Sequence, residues 1–454
     1  MELLQVENKI ASIEQQHLLE GWYALSEEQQ GYFLRDIKSL DVEAVRTQRR
    51  LLREHSQPKP GSFEPFTNYE RSGNFDDKKM GQELIAKGKV GCLIVAGGQG
   101  TRLGYDGPKG SYPISSIKHK SLFQIFCEKT LAAGKQLGVK LSLAIMTSNA
   151  NDSQTKSFFE ENKFFGLDPD QVSFFVQNDL PFLDQKGDLF FESPGVIAKG
   201  PDGNGSTLKS FVDSWVWEKW KRRGIDYMNF IMVDNPLADP FDAELVGYHH
   251  RQRSDVTIKC IERTDPLESV GVIVKRGESV RVVEYTEFSE SEKKAVGSDG
   301  ALKYPCANIS IFCINMDFIH KVAVESYDLM PYHFAFKAVE YLNREGKTVM
   351  SDRPIAWKFE KFIFDFLPLA KKVDALLYPR ESVFAPLKNR EGASSPSTVR
   401  DFLVLKDKSV MESITGQKAP EGIIEIDQQF YYPTAELIEK WKGRAIPKDS
   451  YVSP

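Results

Sequence analysis

Three glycines in four residues, Gly97, Gly98 and Gly100, follow the apolar run Leu93-Ile94-Val95-Ala96, with Arg102 close behind and Lys109 in the run Gly107-Pro108-Lys109-Gly110. Glycine tolerates positive φ and lets a ligand approach the main chain with no Cβ in the way. Successive free N–H groups in such a turn make a cradle for anions. An arginine and a lysine beside that cradle suit a polyphosphate. Three familiar phosphate loops do not fit. A Rossmann fingerprint begun at Gly98 and Gly100 meets leucine at position 103, and the Walker pattern fails because Pro108 precedes Lys109. A kinase glycine loop would need an HRD–DFG pair, which is missing.

Further candidates stand at the ends of apolar runs or in short loops. Gln177 closes Phe174-Phe175-Val176, and an amide there offers both a donor and an acceptor. Asp234 closes Phe230-Ile231-Met232-Val233. Ligands of open α/β sheets gather at such strand ends, and Mg²⁺ takes one or two carboxylates together with phosphate oxygens. A second glycine loop, GPDGNGS, spans residues 200–206, and Lys388 sits in the loop Pro386-Leu387-Lys388-Asn389. Phe362 and Phe364 share one face if residues 361–365 form a strand. Taken alone, each of these reads as ordinary loop, strand end or core.

The elements that must position these residues are legible as periodicity. Apolar runs at 90–96, 141–147, 172–176, 230–233, 256–261, 272–274 and 309–314 read as strands, with helices at 121–137 and 205–222. Strand–helix alternation predicts an α/β domain with a largely parallel sheet, and the uninterrupted strands of 256–314 predict added hairpins. Residues 1–56 are charged and helix-favouring. Ser26-Glu27-Glu28-Gln29 has capping-box spacing, with Tyr32, Phe33 and Ile37 on one face. A Pro/Gly-rich break covers 57–74, with Pro58, Pro60, Gly61, Pro65 and Gly73. Residues 391–398 (EGASSPST) read as an exposed loop. The expected organisation is a helical N-terminal region (1–84), an α/β catalytic domain (85–385) and a small, mainly β, C-terminal domain (386–454).

Composition narrows the function classes. The chain has 454 residues, enough for two or three domains, and its 41% hydrophobic and 27% charged residues are ordinary for a globular protein. With 59 basic against 64 acidic residues, no overall positive field draws it to nucleic acid or anionic lipid. Five cysteines without CxxC spacing favour a reducing, cytoplasmic setting. The opening MELLQVENKIASIEQQ lacks the apolar core of a signal peptide, and no apolar run nears the roughly 20 residues that span a bilayer. No HExxH, zinc spacing or G-x-S-x-G elbow is present.

GGQGTRLG followed by PKG resembles the signature of the UDP-N-acetylglucosamine pyrophosphorylase group of UTP–sugar-1-phosphate uridylyltransferases. The similarity runs from LSEEQQ (25–30) to PLKN (386–389). It implies a Rossmann-like, GT-A-like nucleotidyltransferase sheet flanked by helices. Gly97, Gly98, Gly100 and Thr101 would bind the nucleotide, with Gln177 and Gly203 at the uracil. Asn204, Gly271, Glu284 and Asn308 would hold the sugar, and Phe362 and Phe364 would face the acyl arm of an N-acetyl sugar. Arg102, Lys109 and Lys388 would act on the phosphates, with Asp234 on Mg²⁺. Ser206 departs from the family, which usually has glycine there, and so does Ala307. The 234–240 stretch is shorter than in animal relatives.

The expected reaction joins UTP to a hexose-1-phosphate and releases a UDP-sugar and pyrophosphate. N-acetylglucosamine-1-phosphate is the first choice and glucose-1-phosphate the alternative; neither nucleic acid nor membrane is an expected partner. Two other classes are weighed against it. A GT-A-like glycosyltransferase should show a DxD metal motif, which Asp234-Asn235-Pro236 does not match. A non-catalytic UDP-sugar binder would lose the cations, yet Arg102 and Lys109 are both present.

Overall fold

Apolar runs too short for helices become the strands of an eleven-stranded sheet in the computed structural model, which describes residues 2–54, 63–297 and 300–454. Pro58, Pro60 and Gly61 of the expected break lie outside the described residues. The main path of the sheet runs Tyr69–Arg71, Val373–Tyr378, Val256–Glu262, Cys306–Asn315, Tyr227–Met232, Val90–Val95, Ser142–Thr147 and Val172–Val176. Every neighbouring pair on it is parallel except the two made by Cys306–Asn315, which is antiparallel to both of its neighbours. Val90–Val95 and Ser142–Thr147 are buried at every residue, as continuous apolar strands covered on both faces must be. The hairpin expected in 256–314 is Val272–Arg276 with Ser279–Val283, joined to the sheet where Val272 pairs with Ala307.

Local signals set several helix boundaries. Ser121 caps Leu122–Leu137 by accepting the N–H of Gln124 at 3.1 Å. Ser26 and Gln29 form the expected capping box, and Phe33 and Ile37 of that helix are buried. The single helix expected over 205–222 is two, Thr207–Asp213 and Val216–Arg222, because Trp215 between them takes φ 63°. The loop expected over 391–398 ends early: Ser395 caps a 20-residue helix, Pro396–Thr415.

That helix corrects the expectation of a mainly β C-terminal region. Beyond it come only two three-residue strands, Ile424–Ile426 and Ser450–Val452, with a further helix, Ala435–Trp441. They close a small core of Met411, Ile424, Ile426, Phe430 and Leu437. The Ser-Ser-Pro-Ser run reads as a loop, yet proline at the first helical position starts a helix at no cost, since its missing N–H would have had no partner there.

Contacts group the chain into two compact units that differ from contiguous segments cut at 84/85 and 385/386. One comprises Met1–Lys59, Asn178–Ser206 and Met330–Ile363; the other comprises Pro60–Gln177, Thr207–Leu329 and Phe364–Pro454. In the first, the N-terminal helices do not pack alone. Val6, Ile10, Trp22, Phe33 and Ile37 share a core with Leu183, Leu189, Ile197 and Phe359, and Asp36 accepts hydrogen bonds from the Ile197 N–H and the Lys199 ammonium. The second unit contains the large sheet, its covering helices and the C-terminal segment. Among the described residues, no helix is long and apolar enough to cross a membrane.

Candidate active site

In the larger unit, the strand Val90–Val95 releases the chain into the glycine turn. Gly97 passes so close to Gln177 that a Cβ there would lie 2.6 Å from the Gln177 Oε1, so a side chain at 97 would displace the amide. The Gln177 N–H donates to Thr147 O at 2.9 Å, extending the strand Val172–Val176 to the level of the turn. Two residues absent from the expected set hold the turn from beneath. Asn151 Nδ2 donates to Ala96 O (2.9 Å) and Gly98 O (3.3 Å), and the Ser148 hydroxyl donates to Gly97 O (2.8 Å). The turn closes where the Lys109 N–H donates to Gly98 O at 3.0 Å, which places Lys109 beside the cradle.

Around Lys109 the structure assembles the residues singled out for phosphate chemistry. Burial lowers the pKa of its ammonium; Asp234 opposes that shift, while the positive charges of Arg102 and Lys388 add to it. Its Nζ donates to Leu387 O at 3.4 Å, and the Leu387 N–H donates to Asp234 O at 2.7 Å. Asn235 fastens the segment before Lys388. Its Oδ1 accepts from the Ala385 N–H (3.0 Å) and its Nδ2 donates to Val383 O (2.9 Å). Sequence reading passed over this asparagine, whose partners lie about 150 residues away. It passed over Arg390 too, whose guanidinium lies 3.6 Å from the position a Cβ on Gly104 would take.

Three expected sugar residues also converge in this unit. The Asn308 N–H donates to Gly271 O at 2.8 Å, and the Glu284 Oε1 lies 3.3 Å from the position of a Cβ on Gly271. Pairing of Cys306–Asn315 with Val256–Glu262 shifts register between Lys259 and Cys260; opposite that shift Ser310 takes φ 55°. Such a bulge re-aims a side chain, and here the Asn308 Oδ1 turns back to accept the Ser310 N–H at 3.1 Å. No local sequence signal marks it.

The smaller unit contains the second glycine loop. Gly203 has φ 86°, and a Cβ on it would meet Lys361 O at 2.4 Å. The Gly205 N–H donates to Lys361 O (2.8 Å), and the Asn204 Oδ1 accepts from the Ile363 N–H (2.9 Å). The loop is thereby fastened to the segment bearing Phe362. That segment is not a strand: the strand Ala356–Glu360 ends first, and Phe362 stacks on His333 with ring centroids 4.1 Å apart. Phe364 lies in the turn Ile363–Leu369, in the larger unit, and is nearly buried. The Ser206 hydroxyl donates to the Asp202 Oδ1 (2.5 Å) and to Gly203 O (3.2 Å). Burial pushes the Asp202 carboxyl up to about 7, against the hydrogen bond from Ser206.

Among the described residues, no three carboxylate, histidine or cysteine side chains are gathered closely enough to hold a metal ion. Asp234, just past the strand Tyr227–Met232, offers a single carboxylate, a donor that fits a hard cation taking one or two carboxylates with phosphate and water oxygens, as Mg²⁺ does.

Comparison with known proteins identifies the family. The family model described as UTP–glucose-1-phosphate uridylyltransferase matches residues 44–438. UDP-N-acetylglucosamine diphosphorylase 2 of Arabidopsis thaliana is 35% identical over 419 residues, covering 86% of this chain and 81% of its own. UDP-N-acetylglucosamine pyrophosphorylase of Saccharomyces cerevisiae is 32% identical over 404 residues, covering 87% and 84%. The crystal structure of the uridine diphosphate N-acetylglucosamine pyrophosphorylase from Trypanosoma brucei in complex with inhibitor superposes with a TM-score of 0.83 at 25% identity, over 97% of this chain and 94% of that one.

Proposed function

Because the chain belongs to the UTP–glucose-1-phosphate uridylyltransferase family, we propose that it transfers uridylyl from UTP to a hexose-1-phosphate, giving a UDP-sugar and pyrophosphate. N-acetylglucosamine-1-phosphate is the preferred acceptor, in line with the relatives' names. Glucose-1-phosphate is the second reading, favoured by the family description. The sheet is read as GT-A-like, and the five buried thiols suit the cytoplasm.

The observation that carries the reading is the cluster around Lys109, with Arg102, Lys388 and Asp234 all near enough to act on its charge. In the proposed reaction, an oxygen of the sugar phosphate attacks the α-phosphorus of UTP in line. The bond to the bridging oxygen breaks and pyrophosphate leaves, with no covalent enzyme intermediate. The glycine turn binds the triphosphate, with Gly97, Gly98, Gly100 and Thr101 along it. Gln177 reads uracil, while Gly271, Glu284 and Asn308 of the same unit bind the sugar. Arg102, Lys109 and Lys388 neutralise the charge that builds up as the bonds change, so catalysis rests on positioning and electrostatics. Asp234 would hold Mg²⁺, which when bound neutralises charge on the phosphate oxygens.

The test is a panel of nucleotides and sugar-1-phosphates assayed for pyrophosphate release. UTP with N-acetylglucosamine-1-phosphate should be turned over fastest, and ATP or dTTP should be poor because a wrong base leaves buried polar groups unpaired. Equal turnover of all nucleotides, or release that needs no sugar phosphate, would reject the reading.

A further inference from the structure

Lys129 is a buried charge that the proposed chemistry leaves unused. It projects from the helix Leu122–Leu137 and is only 3% exposed. Its Nζ donates to Pro236 O and Ala238 O, both at 2.8 Å. These carbonyls belong to the turn directly after Asp234 and Asn235. The ring centroids of Tyr431 and Phe126 lie 5.2 and 5.8 Å from the same nitrogen. Burial lowers its pKa to about 8, partly opposed by Asp239.

Stability alone is a poor reason for this lysine. An ammonium taken out of water pays a desolvation cost that its partners only partly return, and a whole buried polar cluster is often replaced by apolar groups of similar volume at no loss, although removing one member alone leaves its partners unpaired. Methionine at 129 would lie against the same two rings without that cost, but would leave the Pro236 and Ala238 carbonyls without their donor. What the ammonium adds is geometry: one nitrogen fixes two carbonyls of one turn. The next links are already described. Asn235 ties the turn to Val383 and Ala385, and Asp234 O accepts the Leu387 N–H next to Lys388.

We propose that Lys129 is a positioning residue for the transfer centre, holding the 236–238 turn so that Asp234, and through Asn235 the segment bearing Lys388, keep their places beside Lys109. This rests on the uridylyltransferase reading above. An error of about 1 Å at a reacting centre costs on the order of a hundredfold in rate, so a small shift of the turn is enough.

The experiment compares the full-length wild type with Lys129→Met and Lys129→Arg. It measures Tm, kcat and KM for both substrates, and binding of Mn²⁺ in the presence of UTP by electron paramagnetic resonance. Lys129→Met, which leaves the Pro236 and Ala238 carbonyls without their donor, should stay folded with a Tm lowered by several degrees and keep both KM values within about threefold, while kcat falls about thirtyfold or more and Mn²⁺ binding weakens about tenfold. Lys129→Arg, which keeps the charge and the donors, should recover most of kcat. Wild-type kcat and Mn²⁺ binding in Lys129→Met would overturn the proposal. So would failure of Lys129→Met to fold, because the charge would then serve stability. A wild type that forms no UDP-sugar would instead reject the underlying reading, and the proposal with it.

Discussion

The side-chain oxygen of Gln177 lies 2.6 Å from the point where a Cβ on Gly97 would stand. These residues follow strands that are next but one in the sheet, Val90–Val95 and Val172–Val176. The contact is with the far end of a flexible side chain, so an added methyl displaces the amide without breaking the sheet. Gly97→Ala should keep a Tm within a few degrees of the wild type and raise KM for UTP about tenfold or more, the scale of one disturbed buried hydrogen bond. Unchanged KM for UTP would separate Gln177 from base recognition.

The cations beside the turn should act on the transition state more than on bound substrate, because charge builds up only as the phosphorus bonds change. Arg102→Ala and Lys109→Ala should each lower kcat about a hundredfold or more, about 3 kcal/mol. Asp234→Asn keeps the shape but removes a negative ligand, so the Mg²⁺ concentration giving half-maximal rate should rise. These are steady-state measurements on variants checked by circular dichroism. Near-normal kcat in either cation variant would reduce the turn to a binding site.

Phe362 lies outside any strand and stacks on His333, the first residue of the strand His333–Lys337, which leaves its ring role open to a direct test. Phe362→Ala should change the N-acetylglucosamine-to-glucose ratio of kcat/KM about tenfold while KM for UTP holds, since the size of an apolar pocket discriminates by about 1–3 kcal/mol. A lowered Tm with an unaltered ratio would make the ring core packing only.

Asp407 gives a pH signature. It is buried, and desolvation pushes its carboxyl up to about 7, against hydrogen bonds from the Tyr431 hydroxyl and the Ile426 N–H. A raised carboxyl pKa means that the native state keeps a proton which the unfolded chain releases near pH 4. The stability tied to that proton is complete below about pH 4 and is lost as pH rises through about 7. Denaturant titrations of the wild type and Asp407→Asn should therefore differ by an amount that falls across this window, by up to a few kcal/mol. A pH-independent difference would remove Asp407 as the source.

What could be read from sequence is what neighbours along the chain decide. A run such as Leu93-Ile94-Val95-Ala96 is too short and too apolar for anything but a buried strand, and three glycines then favour a turn at its end, so the turn and the two cations that follow it were legible together. The parallel sheet followed from strand–helix alternation, and the Ser26 cap from a four-residue pattern. Tertiary structure decided what depends on residues far apart. Asn235 acquires its role only when Val383 and Ala385 reach it, Lys129 only when the 236–238 turn packs on its helix, and Asn308 only when a bulge forms against Val256–Glu262. The stack of Phe362 on His333 and the sharing of one core by Phe33, Ile197 and Phe359 likewise join segments that are far apart in the chain. Local pattern records how a segment buries its own apolar face. Which buried polar group meets which partner is settled by packing, because its hydrogen bonds are satisfied only in the assembled interior.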